Sequence, residues 1–296
     1  MAREVRDACV NIGFFYLAGH GIPPAQMNAL LDQGRRFFER PAEEKMSTHQ
    51  SKTGGKHGYV TTGGVNATTD AGADLRERFR VTRDDSADLP WPGAVPGFEK
   101  TMKDYMAAMV RLSQDMARVF ALSLGLPERH FDDMFRELDG ILYLNYYPPL
   151  DASETNRWSF SPHSDYGAFT LLVQDSLGGL QARNAAGDWI DIPPIDGTFV
   201  VNLGDLFAMW TNDVYVSTLH RAFNASGQAR ISVPFFVSPH PATRITCLPT
   251  CTGPGNPPRH EPVLSGEYLR SLIAHQNRTG RPGISTNTAE RLERKP

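Results

Sequence analysis

Between Ile141 and Val237 the sequence breaks into seven short β-rich runs: ILYLNYY, AFTLLVQ, GLQAR, WIDI, TFVVNL, YVSTLHRAF and ISVPFFV. Turn-forming residues separate them, at Pro148–Pro149, Gly178–Gly179, Asn184 to Gly187, Pro193–Pro194, Gly204–Asp205 and Ser226–Gly227. Antiparallel strands can be joined by tight turns, whereas parallel strands need long crossovers. Short strands at this spacing predict a double-sheet jelly roll rather than a parallel α/β sheet.

Ahead of this block the apolar residues recur at helical spacing. Helices are expected from Arg3 to about Phe15 and from Pro24 to Glu39, where Met27, Leu30, Leu31, Phe37 and Phe38 form a stripe. Gly19, Gly21 and Pro23 punctuate the join between them. A third, from about Gly97 to Leu124, carries Met102, Tyr105, Met106, Met109, Val110, Leu112 and Met116, and Gly125 with Pro127 closes it. Residues 47–73, rich in Gly, Thr and Ser, read as a long loop, either a lid or disordered. A helix from Glu267 to Asn277 and a polar tail end the chain. The fold class is therefore α+β with a mainly β core. An N-terminal helical region (1–140) packs on the core (141–264), and a C-terminal helix and tail (265–296) complete one structural domain.

A chain of 296 residues can bury a substantial core. Its net charge of −3 gives no electrostatic reason to expect nucleic acid or an anionic membrane as partner, though a small anionic co-substrate needs only one local Arg. No apolar run reaches the roughly 18 residues of a membrane span, and MAREVRDACV lacks the apolar stretch of a secretory signal. Three cysteines, Cys9, Cys247 and Cys251, are too few and too irregular for a disulfide framework. A reducing, cytoplasmic location is expected, with Cys247 and Cys251 structural.

Chemistry concentrates in two places. His163 and Asp165 stand two apart in FSPHSDYGAFTLLVQ, a spacing that on a strand projects both side chains from one face. His220 follows 55 residues after Asp165 on another β-rich run. Two imidazoles and one carboxylate on one face make the facial triad of non-haem Fe(II) oxygenases, with coordination positions left open for a co-substrate and O₂. An H-x-D pair alone is common by chance, so the second feature matters. Arg230 and Ser232 share strand parity in ARISVPFFV, and a planar guanidinium beside a hydroxyl suits one buried carboxylate. Asn145 and Tyr147 share parity on ILYLNYY and can add an amide and a phenol to the same pocket.

These residues, with NIGFFYLAGHGIP, FFERPAEEK, LNYYPP, GGLQARNAAGDWIDIPP and FVVNLGDLFAMWTND in order, make the chain resemble the 2-oxoglutarate and Fe(II)-dependent dioxygenases of the isopenicillin N synthase-like superfamily. The resemblance spans nearly the whole chain. It implies a double-stranded β-helix core with iron held by His163, Asp165 and His220. It also implies that Arg230, Ser232 and Tyr147 hold the distal carboxylate of 2-oxoglutarate, with Asn145 near its metal-binding end. Such enzymes hydroxylate, desaturate or cyclise a small molecule while 2-oxoglutarate and O₂ give succinate and CO₂. Two rival readings are an oxidase of the isopenicillin N synthase kind, which uses Fe(II) and O₂ without 2-oxoglutarate, and a non-catalytic barrel that only binds ligands.

The chain departs from the family pattern in three places. It begins inside the first helix, without the short I-P-x-I-D strand many relatives carry. Tyr143 stands where many relatives have Arg, and its parity with Asn145 and Tyr147 points it inward, which would alter substrate recognition. Ser164 replaces the commoner Thr and is expected to face away from the metal. Phe236 shares parity with Arg230 and Ser232 and either walls the substrate pocket or packs in the core. His20 is expected to make a structural hydrogen bond far from the core strands, and Asp205 an Asx-type turn. Gln181 is assigned no chemistry, Trp189 and Trp210 are core or rim, and His57 is a candidate substrate contact in the glycine-rich loop.

Overall fold

Strands that are apolar along their whole length belong where a sheet is covered on both faces; a strand covered on one face alternates instead. β6 (Phe169–Gln174), β9 (Phe199–Leu203) and β11 (Arg230–Ser238) are buried almost throughout. They form the centre of the larger sheet in the computed structural model, which describes residues 1–61, 74–83, 89–149, 159–224 and 226–279. The other strands of that sheet are β1 (Phe14–Leu17), β2 (Gly58–Val60), β3 (Glu77–Thr82) and β4 (Asp139–Tyr147). Their order is β1-β9-β6-β11-β4-β3-β2, and every pairing is antiparallel. The smaller sheet has the order β5-β10-β7-β8, from β5 (Phe160–His163), β7 (Leu180–Arg183), β8 (Trp189–Asp191) and β10 (His220–Ala222).

The two faces of the larger sheet see different layers. α2 (Pro24–Phe38) and α4 (Phe98–Ser123) cover one face, packing Leu30, Phe37, Met102 and Met109 into a cluster with Leu144, Leu171, Val201 and Ile231. Each such buried side chain contributes roughly 1.5–3 kcal/mol relative to exposure. Helix and sheet approach closely at Gly34, where an added Cβ would lie 3.3 Å from Leu144. The opposite face meets the smaller sheet through Phe14, Leu172, Leu180 and Val200. The space between the sheets holds the polar residues singled out above. β12 (Arg244–Ile245) and β13 (Val263–Leu264) form a separate ribbon leading into α7 (Ser265–Thr279), and two short helices, α3 (Ala42–Met46) and α5 (Asp132–Arg136), follow α2 and α4 in the chain.

Several elements differ from expectation. The apolar run ending at Phe15 is not one helix: α1 (Ala2–Asn11) stops early and the chain turns at Gly13. Gly13 has φ +66°, and a Cβ there would lie 2.0 Å from the Val216 carbonyl oxygen. Phe14–Leu17 then pairs with β9 as an edge strand. Together with β2 and β3, this means that the region before residue 141 supplies strands to the larger sheet as well as helices. Part of the expected loop 47–73 is ordered into a short 3₁₀ turn (Gln50–Thr53) and β2; residues 62–73 lie outside the described residues, as does the tail beyond 279. α6 (Asp205–Trp210) occupies a stretch expected to hold only a turn, and YVSTLHRAF contributes only the three residues of β10.

Candidate metal centre and anion pocket

β5 and β10 pair antiparallel with His163 directly opposite His220, which brings the ring centroids to 4.2 Å. Each imidazole gives its Nδ1–H to a backbone carbonyl two residues earlier, His163 to Ser161 at 2.8 Å and His220 to Thr218 at 3.1 Å. A carbonyl can only accept, so the proton sits on Nδ1 and the lone pair on Nε2 of both rings. Burial, and then the neighbouring His220, hold His163 well below the usual imidazole range, so it is a neutral donor.

Asp165 arrives by a different route from the one its spacing suggested. β5 ends at His163, so the carboxylate is presented by the turn beyond the strand rather than by strand parity. That turn is clamped against the start of α6. The Asp205 N–H donates to the Asp165 carbonyl at 2.8 Å, and a Cβ on Gly204 would lie 2.2 Å from the Gly167 carbonyl oxygen. Asp165 Oδ2 accepts from Thr170 Oγ1 at 2.5 Å and from Asn202 Nδ2 at 2.7 Å. Oδ1 is left facing Nε2 of His163 at 3.9 Å and of His220 at 3.7 Å. The three donor atoms lie within 4.8 Å of one another and are the one such His/Cys/Asp/Glu group among the described residues. Two imidazoles and one carboxylate, oriented from behind by hydrogen bonds, fit a ferrous ion.

The second cluster lies on the larger sheet, where the register sets Arg230 opposite Tyr147 and Ser232 opposite Asn145. Arg230 is only 2% exposed. Its Nε donates to the Gly178 carbonyl and its Nη2 to Gln174 Oε1 at 3.1 Å, while the buried Nη1 has no acceptor among the described residues. The guanidinium lies 4.8 Å from the Tyr147 ring centroid, and the Tyr147 and Ser232 hydroxyls are 3.3 Å apart. Asn145 Oδ1 is likewise buried without a partner among the described residues. A buried cationic donor left unpaired is costly. A narrow cavity lined by His163, His220, Asn145, Tyr147, Arg230 and Ser232 joins this cluster to the triad. A dicarboxylate fits the pair of clusters, with one end at the metal and the other at Nη1.

Tyr143 and Phe236 lie edge to face at 5.7 Å on the wall of an adjoining cavity of about 330 Å³, which also reaches His163 and Asp165. The remaining candidates lie elsewhere. His57 is fully buried between Phe79 and Trp91 and lines neither cavity. His20 contacts the Gly197 carbonyl at 3.0 Å and its ring meets Phe199 of β9 at 4.5 Å, so it packs on a core strand rather than far from one. Asp205 stands at the start of α6, and its Oδ2 accepts the Ser164 hydroxyl at 3.1 Å. Gln181 bridges Asp191 and Arg221, Trp210 is core, and Trp189 lies under the Arg221 guanidinium.

Sequence reasoning passed over Thr170 and Asn202, which aim Asp165. They face each other across β6 and β9, and a polar residue in each of two otherwise buried strands was the available signal. It also passed over Phe160 and Arg76. Phe160 stacks on His163 at 3.7 Å, and the Arg76 guanidinium lies 3.3 Å from the Phe160 ring centroid.

A jelly roll that carries two imidazoles and a carboxylate beside a buried arginine defines the class of non-haem iron oxygenases. Comparison with known proteins agrees. The profile of the 2OG-Fe(II) oxygenase superfamily matches residues 138–239, and that of the non-haem dioxygenase in morphine synthesis N-terminal region matches residues 1–99. The 2-oxoglutarate-Fe(II) type oxidoreductase hxnY of Emericella nidulans is 33% identical over 91% of this chain and 83% of its own length. A homoarginine-6-hydroxylase of Glycine max is 33% identical over 92% of this chain and 88% of its own. The solved structure of a full-length Neurospora crassa protein in complex with alpha-KG superposes with a TM-score of 0.86 at 29% identity, covering 93% of this chain and 90% of that one. JOX2 in complex with 2OG, Fe and JA gives 0.83 at 28% identity, covering 97% and 84%. The chain belongs to the 2OG-Fe(II) oxygenase superfamily. It is an Fe(II)- and 2-oxoglutarate-dependent oxygenase.

Proposed function

We propose that His163, Asp165 and His220 hold the iron, that Arg230, Ser232, Tyr147 and Asn145 hold 2-oxoglutarate, and that the enzyme oxidises a small molecule seated against Tyr143 and Phe236. The observation that carries this reading is the buried Arg230 Nη1, a cationic donor without an acceptor among the described residues, at the far end of a cavity that begins at the triad. The adjoining cavity of about 330 Å³ is of a size that takes a small organic molecule. Relatives that hydroxylate homoarginine, or were crystallised with thymine or JA, support a substrate of that scale.

Bound Fe(II) supplies the chemistry that turns 2-oxoglutarate and O₂ into succinate and CO₂ while the substrate is hydroxylated, desaturated or cyclised. The chain's own residues do the positioning. Thr170 and Asn202 hold one carboxylate oxygen so that the other faces the metal position. The Nδ1 hydrogen bonds fix both imidazole lone pairs. Phe160 and Phe14 pack on the two rings and keep water from their outer faces. Arg230, with the Ser232 and Tyr147 hydroxyls, neutralises and orients the distal carboxylate.

No helix among the described residues is long and apolar enough to cross a membrane. Three buried free thiols support a reducing compartment such as the cytoplasm, and the net charge of −3 favours a small molecule over nucleic acid or a membrane surface as partner. The test is succinate formation from 2-oxoglutarate by the purified enzyme, with Fe(II) and O₂ each withheld in turn. Succinate is expected only when both are present. Oxidation at full rate without 2-oxoglutarate would favour an oxidase instead.

A further inference from the structure

The cavity beside the triad is unusual in its charge. The stretch RERFRVT alternates strictly, burying Phe79 and Val81 against the helices and turning Arg78 and Arg80 to the other face. Arg76, two residues before Arg78, shares that parity, and all three arginines line the cavity. At about 3.3 Å per residue, the three side chains span roughly 13 Å along its wall. Register sets Arg78 beside Asn145 and Arg80 beside Tyr143. Arg270, on α7, also lines the cavity.

Among the described residues, few carboxylates stand near this charge. Of the carboxylates on the cavity wall, Asp165 belongs to the triad, which leaves Asp139. Arg76 is 7% exposed, with Asp74 at 4.0 Å and the Phe160 ring as its neighbours. Arg80 reaches the Gly55 carbonyl at 3.0 Å through Nη1, but its buried Nε has no acceptor among the described residues, and the Thr82 hydroxyl further along the wall has no partner there either. Arg78 forms no ion pair among the described residues; its guanidinium lies 5.3 Å from the Tyr143 ring, with that of Arg80 at 5.8 Å. The rest of the lining is apolar or aromatic: Ile141, Tyr143, Phe160, Phe236, Leu269 and Ile273.

We propose that the substrate is an organic anion. Its oxyanion group pairs with Arg78 and Arg80, and its apolar body lies on Tyr143 and Phe236 with one carbon reaching the triad beside Phe160. A neutral substrate would leave Arg78 without an ion pair and the buried Arg80 Nε without an acceptor among the described residues, which is unfavourable. Tyr143 then has a specific part: its ring lies between the arginines and the apolar wall, where an aromatic face favours nearby cations. The inference rests on the oxygenase reading above, since it places the substrate by reference to the triad.

The test is anaerobic binding to the enzyme loaded with Fe(II) and 2-oxoglutarate, followed by ligand-observed NMR. The probes are matched sets on phenyl, indolyl and straight-chain alkyl bodies, each as carboxylate, phosphate monoester and primary amide. At least one carboxylate or phosphate ester is expected to bind about tenfold or more tightly than its amide, the scale of one charge-assisted hydrogen bond. The better of the two anions identifies the oxyanion. Arg78→Gln, which removes no hydrogen bond found among the described residues, is expected to erase most of that preference, and Arg78→Lys to keep part of it. If no anion outbinds its amide, or if the preference survives in both Arg78→Gln and Arg80→Gln, the proposal is wrong. Succinate formation by the same wild-type preparation without substrate reports on the oxygenase reading separately. An enzyme that makes succinate yet ignores charge loses only the anion proposal.

Discussion

Replacing Arg230 with Ala removes the cation from the pocket proposed to hold 2-oxoglutarate, and its effect can be worked from the contacts. A charge-assisted hydrogen bond contributes about 1.5–3 kcal/mol. Losing the Nη1 bond alone, at about 2 kcal/mol, weakens 2-oxoglutarate roughly 30-fold. The true loss is expected to be larger, because a carboxylate left buried beside Ser232 and Tyr147 keeps its desolvation cost. Arg230 also donates to the Gly178 carbonyl and to Gln174, so the Ala variant is expected to lose stability as well. Arg230→Lys keeps the charge without the planar fork and is expected to fall between the two. The assay is succinate release against 2-oxoglutarate concentration, at saturating Fe(II), for all three enzymes. An unchanged 2-oxoglutarate requirement in a folded Arg230→Ala enzyme would show that Arg230 does not hold the distal carboxylate.

Other consequences follow from the way Asp165 is held. Asn202→Ala leaves Thr170 as the donor to Oδ2 found among the described residues, and Fe(II) affinity measured anaerobically is expected to fall about 10–100-fold, as is usual when a ligand's supporting hydrogen bond is removed. Gly204→Ala forces a methyl to within 2.2 Å of the Gly167 carbonyl oxygen and 2.9 Å of that of Asp165, both backbone atoms. Thermal denaturation is expected to show a loss of about 1–3 kcal/mol, with weaker metal binding; an unchanged melting temperature would show that the turn can move. Burial pushes the Cys9 thiol well above its ordinary range. A thiol-reactive dye at pH 8 is therefore expected to leave Cys9 unlabelled in the native protein and to label it in denaturant, as read by mass spectrometry.

The long amphipathic elements were the most legible. The stripe on α4 and the apolar runs of β6, β9 and β11 follow directly from burial on one face or on two. The juxtaposition of Arg230, Ser232, Asn145 and Tyr147 was legible for the same reason: they lie on regular strands, where parity holds. Asp165 shows where parity reasoning stops. The two-residue rule needs a continuing strand, and here the chain leaves β5 at His163 because Gly204 and Gly167 let two turns approach closely. β1 was hidden because Gly13 breaks an apolar run that otherwise continues the helix. β3 was left unassigned, although its alternation of arginine with Phe79 and Val81 marks a strand; what the alternation does not show is that the arginine face lines a cavity. Periodicity identifies which side chains share a face, but it does not say what the face looks onto.

The central claim, that His163, Asp165 and His220 together hold the iron, is tested most directly by equilibrium Fe(II) binding under anaerobic conditions to the wild-type enzyme and to Asp165→Ala. The geometry predicts one tightly held Fe(II) per wild-type chain and its loss in the variant, since Asp165 is the only carboxylate among the three donors. An Asp165→Ala enzyme that binds Fe(II) as tightly as wild type would contradict the account.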